Sequence, residues 1–245
     1  MNKPKLIVFA SGTATGGGSG FENLVQATRL RPASAESYGR AQQGSGGASE
    51  KPVLDAEIVA VVSNHEQGGV AQRAKKLGVP FVHFPAPWDA EHYQKVVVDS
   101  GAEWVALSGW LKKVEGLDPK KTFNIHPALL SSPPAGGGGR FGGEGMWGHH
   151  VHEAVKEALD GGEIQESGIT MHFVTDRYDR GPVFFEHRVP LGRSPATGEA
   201  LTADEIAALV NKAEHEWQPK ITNLVVHGKI RWDGKDPASL VVTGI

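Results

Sequence analysis

Short apolar runs that alternate with helical segments constrain the fold of this chain more than any other sequence feature. Residues 5–10, 57–63 and 104–108 are brief runs rich in aliphatic side chains, a pattern typical of strands buried on both faces. Apolar residues at helical spacing occupy the segments 69–77 and 89–99 between them. Because strands and helices alternate, we predict an α/β fold with a doubly wound, mostly parallel sheet flanked by helices.

The later part of the chain predicts two further strands and one long helix. Apolar residues alternate over 169–174 and an extended run follows at 183–191, which suits strands nearer one edge of the sheet. Thr202 and Glu205 match the capping-box pattern at the start of a helix. Pro219 lies within that helical pattern, and we predict that it ends or kinks the helix.

We expect the 245 residues to form a single domain, because this length suffices for one well-buried core. Two segments stand apart from the pattern of strands and helices. Residues 31–52 are polar and small with no apolar period, which indicates an exposed insertion. Residues 132–147 are rich in glycine. We interpret them as a second insertion that is either a mobile lid or an ornament, meaning a segment with no part in the site.

Composition excludes several classes of partner and site. Twenty-five Lys and Arg against 28 Asp and Glu give a net charge of −3, so we expect neither nucleic acid nor a membrane as partner. The chain has no cysteine, which excludes disulfides, a thiolate nucleophile and cysteine-based metal sites. The apolar run at 6–10 is too short for a signal peptide or a membrane span, so we expect a cytoplasmic protein.

Residues 11–20 form a glycine-rich loop between the first strand and a helix that begins near Phe21. Backbone N–H groups next to the positive end of a helix bind phosphate or carboxylate. The loop lacks the last glycine of the dinucleotide fingerprint and the lysine of a P-loop, so it predicts an anion site rather than a nucleotide site. The alternative is a flexible turn.

Asn124 and His126 lie two residues apart in a strand-like segment, so both side chains face the same way. An asparagine amide donates hydrogen bonds to a developing oxyanion, and a histidine donates or transfers a proton near neutral pH. A charged loop at 175–182 follows a later strand. Taken alone, these residues are better explained as a structural histidine, a turn asparagine and a solvated loop.

His149 and His152 have the helical spacing of a two-ligand metal face. No cysteine or acidic partner is positioned by the sequence. We therefore favour the start of a helix near the glycine-rich segment, and we predict no metal.

In combination, the motifs are more specific than any of them alone. Asn-Ile-His-Pro at 124–127 is followed by His-Phe-Val-Thr-Asp at 172–176 and by Asp-Arg-Gly-Pro at 179–182. Over nearly the whole chain the sequence resembles the folate-dependent formyltransferase family. The resemblance implies a formyltransferase-like variant of the Rossmann fold, with a phosphate-binding half at 1–110 and a folate-binding and catalytic half at 111–245.

The resemblance also implies a reaction and its partners. The formyl group of 10-formyltetrahydrofolate would pass to the amine of glycinamide ribonucleotide in de novo purine synthesis. The glycine loop and Glu214-His215 favour this acceptor over methionyl-tRNA or water. The expected partners are small molecules, and the expected assembly is a monomer or a homodimer.

Family roles map onto individual residues of this chain. Asn124 and His126 would donate to the oxyanion, and Asp179 would support a charged His126, whose pKa it should raise. The phosphate and ribose of the acceptor would be bound by Gly18, Ser19, Gly20, Asn23 and Glu214. The folate would be bound by Leu107, Leu111, Lys112, Lys113, Val114, Asn124, Val174, Thr175 and Asp176.

Two alternatives remain open. The same chemistry could serve another amine, such as a sugar nucleotide or another ribonucleotide. A non-catalytic α/β module that binds a phosphorylated metabolite is the second alternative, although an intact set of Asn124, His126 and Asp179 counts against it.

Overall fold

The computed structural model describes residues 2–29, 52–132, 140–194 and 197–245, so residues 31–51 and 133–139 of the two predicted insertions lie outside the described part. Its strands are β1 (Lys5–Phe9), β2 (Glu57–Ser63), β3 (Phe81–His83), β4 (Trp104–Ser108), β5 (Thr122–His126), β6 (Glu166–Phe173), β7 (Val183–Pro190), β8 (Ile230–Arg231) and β9 (Val241–Val242). Its helices are α1 (Ser19–Ala27), α2 (Gly69–Leu77), α3 (Ala90–Ser100), α4 (His149–Asp160) and α5 (Ala203–Val226), with a 3₁₀ turn at Pro237–Ser239.

The main sheet has seven strands in the order β3-β2-β1-β4-β5-β6-β7. Strands β1 to β5 pair in parallel, whereas β6 is antiparallel to both β5 and β7. The prediction of a mostly parallel sheet is confirmed, and so is the placement of the last two strands at one edge. β8 and β9 form a separate antiparallel hairpin.

Both faces of the sheet carry buried side chains. Neighbouring residues of one strand point to opposite faces, so alternate residues of β1 belong to two different clusters. On one face, Leu6 and Val8 of β1 pack in a cluster with residues of α1, α2, α4 and α5. On the other face, Ile7 and Phe9 pack with Tyr93 of α3. Helices therefore cover the sheet from both sides, as a doubly wound fold requires.

The last long helix begins where the sequence predicts and continues further than expected. Thr202 and Glu205 form a complete capping box at the start of α5. Of the two outcomes predicted for Pro219, an end or a kink of the helix, the first is wrong, because α5 continues through it to Val226. Among the helices in the described part of the chain, none is both long and apolar enough to cross a membrane.

Candidate active site

Asn124 and His126 lie on β5, and the antiparallel pairing of β5 with β6 places His172 directly opposite Asn124. Side chains opposite each other in such a pair lie on one face of the sheet. Asn124 Nδ2 is 3.1 Å from His172 Nε2. His126 and His172 are both buried. The site is therefore built on two neighbouring strands that are each paired on both sides.

Asp179 enters from the loop between β6 and β7 and contacts both histidines. Its Oδ1 is 3.4 Å from His172 Nε2, and its Oδ2 is 3.7 Å from His126 Nδ1. The backbone N–H of Gly143 donates to Oδ2 at 2.9 Å. Asp179 has a φ of 49°, a left-handed conformation that aspartate adopts more readily than most residues. The structure thus brings Asn124, His126 and Asp179 together.

The segment 140–148 forms one wall of the site. His126 Nε2 lies 2.6 Å from the carbonyl oxygen of Phe141, which only accepts, so we assign the Nε2 proton to this hydrogen bond. Phe141 itself is buried in the core. The interpretation of the second insertion as an ornament is wrong at Phe141 and Gly143, whose backbone groups bond His126 and Asp179. His126 Nδ1 is the nitrogen left for chemistry.

The pKa of His126 shifts in the direction opposite to our expectation. Burial lowers it, and the opposing charge of Asp179 does not offset that effect. For Asp179, burial alone would raise the pKa, but the close contact with His172, the charges of both histidines and the Gly143 amide lower it to about 2. Near neutral pH the site therefore holds a neutral His126 beside an ionised Asp179.

His172 is a site residue to which sequence reasoning assigned no role. Its Nδ1 lies 2.9 Å from the carbonyl of Phe173, so we assign a proton to Nδ1. His172 then accepts from Asn124 at Nε2. This contact fixes the orientation of the Asn124 amide, with its nitrogen toward His172. The alternating pattern of 169–174 and the His-Phe-Val-Thr-Asp motif indicate that His172 lies on a strand. Neither indicates that this strand pairs with the strand that carries Asn124.

The larger of two cavities at this site has a volume of about 360 Å³. Asn124, His126 and Asp179 line it together with Glu214 from α5. Burial raises the pKa of Glu214 to about 7, and Asn211 contributes a weak opposing hydrogen bond at 3.3 Å. Glu214 thus shares a cavity with Asn124, His126 and Asp179 although it lies far from them in sequence.

A smaller cavity of about 60 Å³ adjoins the first. Trp110, Asn124, Tyr178 and Asp179 line both. Of the predicted folate residues, the following line the smaller cavity: Leu107, Lys112, Lys113, Val114, Asn124, Val174, Thr175 and Asp176. Leu111 lines the larger cavity instead. A third cavity, of about 350 Å³, shares Val114 and residues 174–176 with the smaller one.

Tyr93 of α3 supports the wall formed by residues 110–114. Trp110 Nε1 donates to the Tyr93 hydroxyl at 2.8 Å, and that hydroxyl donates to the carbonyl of Lys113 at 2.9 Å. Burial raises the pKa of Tyr93, so the phenol keeps the proton that it donates. The position of the wall is therefore fixed by the buried aromatic cluster behind it.

The glycine loop leads into α1, as predicted, but its residues are not among those lining the larger cavity. Gly18 is the N-cap of α1, with a φ of 80° that favours glycine, and Ser19 and Gly20 form the first turn. Asn23 Nδ2 donates to the carbonyl of His215 at 2.7 Å. Arg73 of α2, which the sequence did not indicate, donates from Nε to the Gly17 carbonyl at 2.9 Å and pairs with Glu22.

The histidines at 149–152 lie in the first turn of a helix, which is the interpretation that we favoured. α4 begins at His149, directly after Gly148. His152 is buried, and burial lowers its pKa to about 4. Within the described residues, no group of three or more His, Cys, Asp or Glu side chains is arranged to hold a metal ion.

Comparison with known proteins connects this geometry to a family. Residues 42–222 match the family model described as formyl transferase. Over 98% of its length the chain is 30% identical to the chloroplastic phosphoribosylglycinamide formyltransferase of Vigna unguiculata, of which it spans 66%. It is also 30% identical, over 94% of its length, to the chloroplastic Arabidopsis thaliana protein of the same name, of which it spans 68%.

The fold is shared with solved structures. The crystal structure of glycinamide ribonucleotide transformylase 1 from Symbiobacterium toebii matches with a TM-score of 0.68 at 20% identity, covering 99% of this chain and 95% of that one. At this identity the match establishes the architecture alone.

Proposed function

We propose that this chain, which belongs to the formyl transferase family, transfers the formyl group of 10-formyltetrahydrofolate to the amine of glycinamide ribonucleotide in de novo purine biosynthesis. The observation that carries the proposal is the position of Asn124 and Asp179. Both line the larger and the smaller cavity, so one group could be passed between molecules bound in the two.

In the first step the amine nitrogen attacks the formyl carbon, a C–N bond forms, and the carbonyl electron pair moves onto oxygen. Asn124 donates to that oxyanion through the Nδ2 hydrogen that is not directed at His172. A preorganised donor of this kind is most effective in a dry, rigid site. β5 carries Asn124 in the interior of the sheet, where it pairs with β4 and β6.

His126 moves the proton. Because burial lowers its pKa, His126 is neutral near pH 7, and Nδ1 accepts the proton that the attacking amine loses. Asp179 at 3.7 Å then stabilises the imidazolium. When the intermediate collapses, the bond from carbon to the folate nitrogen breaks and His126 returns the proton to that nitrogen.

The two substrates divide between the two cavities in this proposal. The folate lies against residues 107–114 and 174–176, which line the smaller cavity and part of the adjoining cavity of about 350 Å³, because the smaller cavity alone is too small for it. The acceptor occupies the larger cavity with its ribose at Glu214. The acceptor phosphate binds the N-terminus of α1 near Gly18, Ser19 and Gly20, where Arg73 holds the loop through the Gly17 carbonyl and pairs with Glu22. The partners are small molecules, the proposed location is the cytoplasm, and the proposed assembly is a monomer or a homodimer.

The test is a formyl-transfer assay with purified protein, 10-formyltetrahydrofolate and glycinamide ribonucleotide, followed by the change in folate absorbance. We expect turnover that depends on both substrates. Turnover with a sugar nucleotide or another ribonucleotide in place of glycinamide ribonucleotide would assign a different acceptor. Binding of both ligands without transfer would instead identify a binding module.

Glu214→Gln is expected to weaken acceptor binding and to stabilise the fold at the same time. Loss of a hydrogen bond to a charged group should raise the acceptor KM by roughly tenfold with little change in kcat. Because burial raises the pKa of Glu214 from its ordinary value of 4.5 to about 7, the folded state loses stability as pH rises between these two values, and the loss is complete above the higher one. The variant should therefore melt at a higher temperature than wild type at pH 8, with a much smaller difference at about pH 4. An equal difference at both pH values would contradict this reading of Glu214.

Inorganic phosphate or sulfate is expected to inhibit by competition with the acceptor and not with the folate. The reason is that the loop at 11–20 offers backbone donors and a helix N-terminus to any such anion. Initial rates over a matrix of acceptor and sulfate concentrations measure this. Purely noncompetitive inhibition against the acceptor would argue against phosphate binding at this loop.

A further inference from the structure

The feature behind this inference is a proline in the interior of a long, continuous helix. Pro219 is buried, and α5 extends from Ala203 through it to Val226. A proline inside a helix cannot donate to the carbonyl four residues earlier, and its ring crowds that carbonyl. The carbonyl left without its usual donor is that of His215.

Another helix supplies the donor. Asn23 Nδ2 of α1 donates to the His215 carbonyl at 2.7 Å, across 192 residues of sequence. An ordinary residue at position 219 would direct its own N–H at the same carbonyl. Pro219 removes the helical donor, and Asn23 of α1 is the donor that the structure gives to this half-buried carbonyl in its place.

A second contact fixes the same junction. The Ser108 hydroxyl at the end of β4 donates to Gln218 Oε1 of α5 at 3.3 Å. Gly20 packs directly on this pair, and a Cβ atom at position 20 would collide with Ser108 Oγ. The first turn of α1 therefore meets β4 and α5 at backbone distance.

We propose that Pro219 is a positioning residue for the acceptor site, because it frees the His215 carbonyl for Asn23 and so locks the start of α1 to the part of α5 that carries Glu214. The inference rests on the proposed function for the roles of the loop and of Glu214. Asn23, predicted to bind phosphate, directs one of its two amide hydrogens into this contact. The ligand recognised is a phosphorylated ribose. Its phosphate must reach the loop at 11–20 while its ribose reaches the Glu214 carboxylate, so the distance between these two groups must be fixed.

The hydrogen bond and its dependence on Pro219 are tested first by stability, without reference to catalysis. Thermal melting is measured for wild type, Asn23→Ala, Pro219→Ala and the double variant, with Lys212→Ala on the exposed side of α5 as control. Asn23→Ala should lower Tm by about 2–4 °C in the wild-type background, the effect of one hydrogen bond in a chain of this size. In the Pro219→Ala background the same change should lower it by less than about 1 °C, because the alanine introduced there supplies a backbone N–H donor. Equal shifts in both backgrounds would overturn the inference.

The positioning role is tested by kinetics on the same variants. Pro219→Ala and Asn23→Ala should each raise the KM for glycinamide ribonucleotide by roughly five- to tenfold, and the double variant should be no worse than the worse single one. The kcat and the KM for the folate should stay within about twofold of wild type, a split that general destabilisation does not produce. Coupled melting shifts with an unchanged acceptor KM would overturn the positioning role. Coupled shifts in a protein whose wild type transfers no formyl group would instead count against the proposed function.

Discussion

Asn124→Ala is expected to lower kcat by roughly 10²–10³-fold, the effect of removing one oxyanion donor, while the protein stays folded. Asn124 is held by His172 Nε2 at 3.1 Å and lines both cavities of the site. The donor acts on charge that exists only in the transition state, so the acceptor KM should change little. Steady-state kinetics and circular dichroism measure the two effects.

Asn223→Ala is a matched control for this substitution. Asn223 also makes a side-chain hydrogen bond, accepting from the Asp55 backbone at 2.9 Å, and it is not among the residues lining either cavity. Its kcat should match wild type. A kcat for Asn124→Ala within about threefold of wild type would remove Asn124 from the mechanism, since loss of one oxyanion donor typically costs about 10²–10³-fold.

Asp179→Asn is expected to lower kcat by about 10²-fold or more, as loss of support for a positioned acid–base group does. Asp179 is ionised because its pKa is lowered to about 2, and its charge favours the imidazolium form of His126. Without that charge the pKa of His126 falls further. The limb of the pH–rate profile governed by His126 should therefore move to lower pH.

The control for this prediction is Asp99→Asn, which removes an exposed carboxylate paired with Lys95 on α3 and should leave the profile in place. The pH dependence of kcat is compared for wild type and both variants from about pH 5 to about pH 9, a range that spans the ordinary pKa of histidine. If Asp179→Asn slows turnover without moving the profile, Asp179 acts on the geometry of the site and not on the proton of His126.

Most of the fold was predictable because its determinants are local. The run at 57–63 and the helical pattern at 69–77 reappear as β2 and α2 with the same bounds, since buried strands and amphipathic helices follow from side-chain periodicity. Pro219 was not predictable in this way. Whether a helix continues through a proline depends on a distant partner for the freed carbonyl, here Asn23.

The identity of the site residues could be predicted from motifs in the sequence. The protonation of those residues could not, because it depends on burial. Asn124, His126 and Asp179 were named through the resemblance to a family, because residue type alone favoured structural roles, and they lie within 4 Å of a common neighbour or of one another. The pKa of His126 was predicted in the wrong direction, because burial outweighs the carboxylate and sequence does not report burial. The Phe141 carbonyl was missed for a related reason, since a backbone group carries no sequence signal.

The central claim is that Asn124, His126 and Asp179 surround the carbon that is transferred. The most direct measurement is a crystal structure with glycinamide ribonucleotide and a folate analogue that carries a non-transferable formyl group. We expect the formyl oxygen about 2.7–3.1 Å from Asn124 Nδ2, and the acceptor amine about 3–3.5 Å from the formyl carbon on the side of His126 Nδ1. A formyl group bound beyond hydrogen-bonding distance of both Asn124 and His126 would contradict the account.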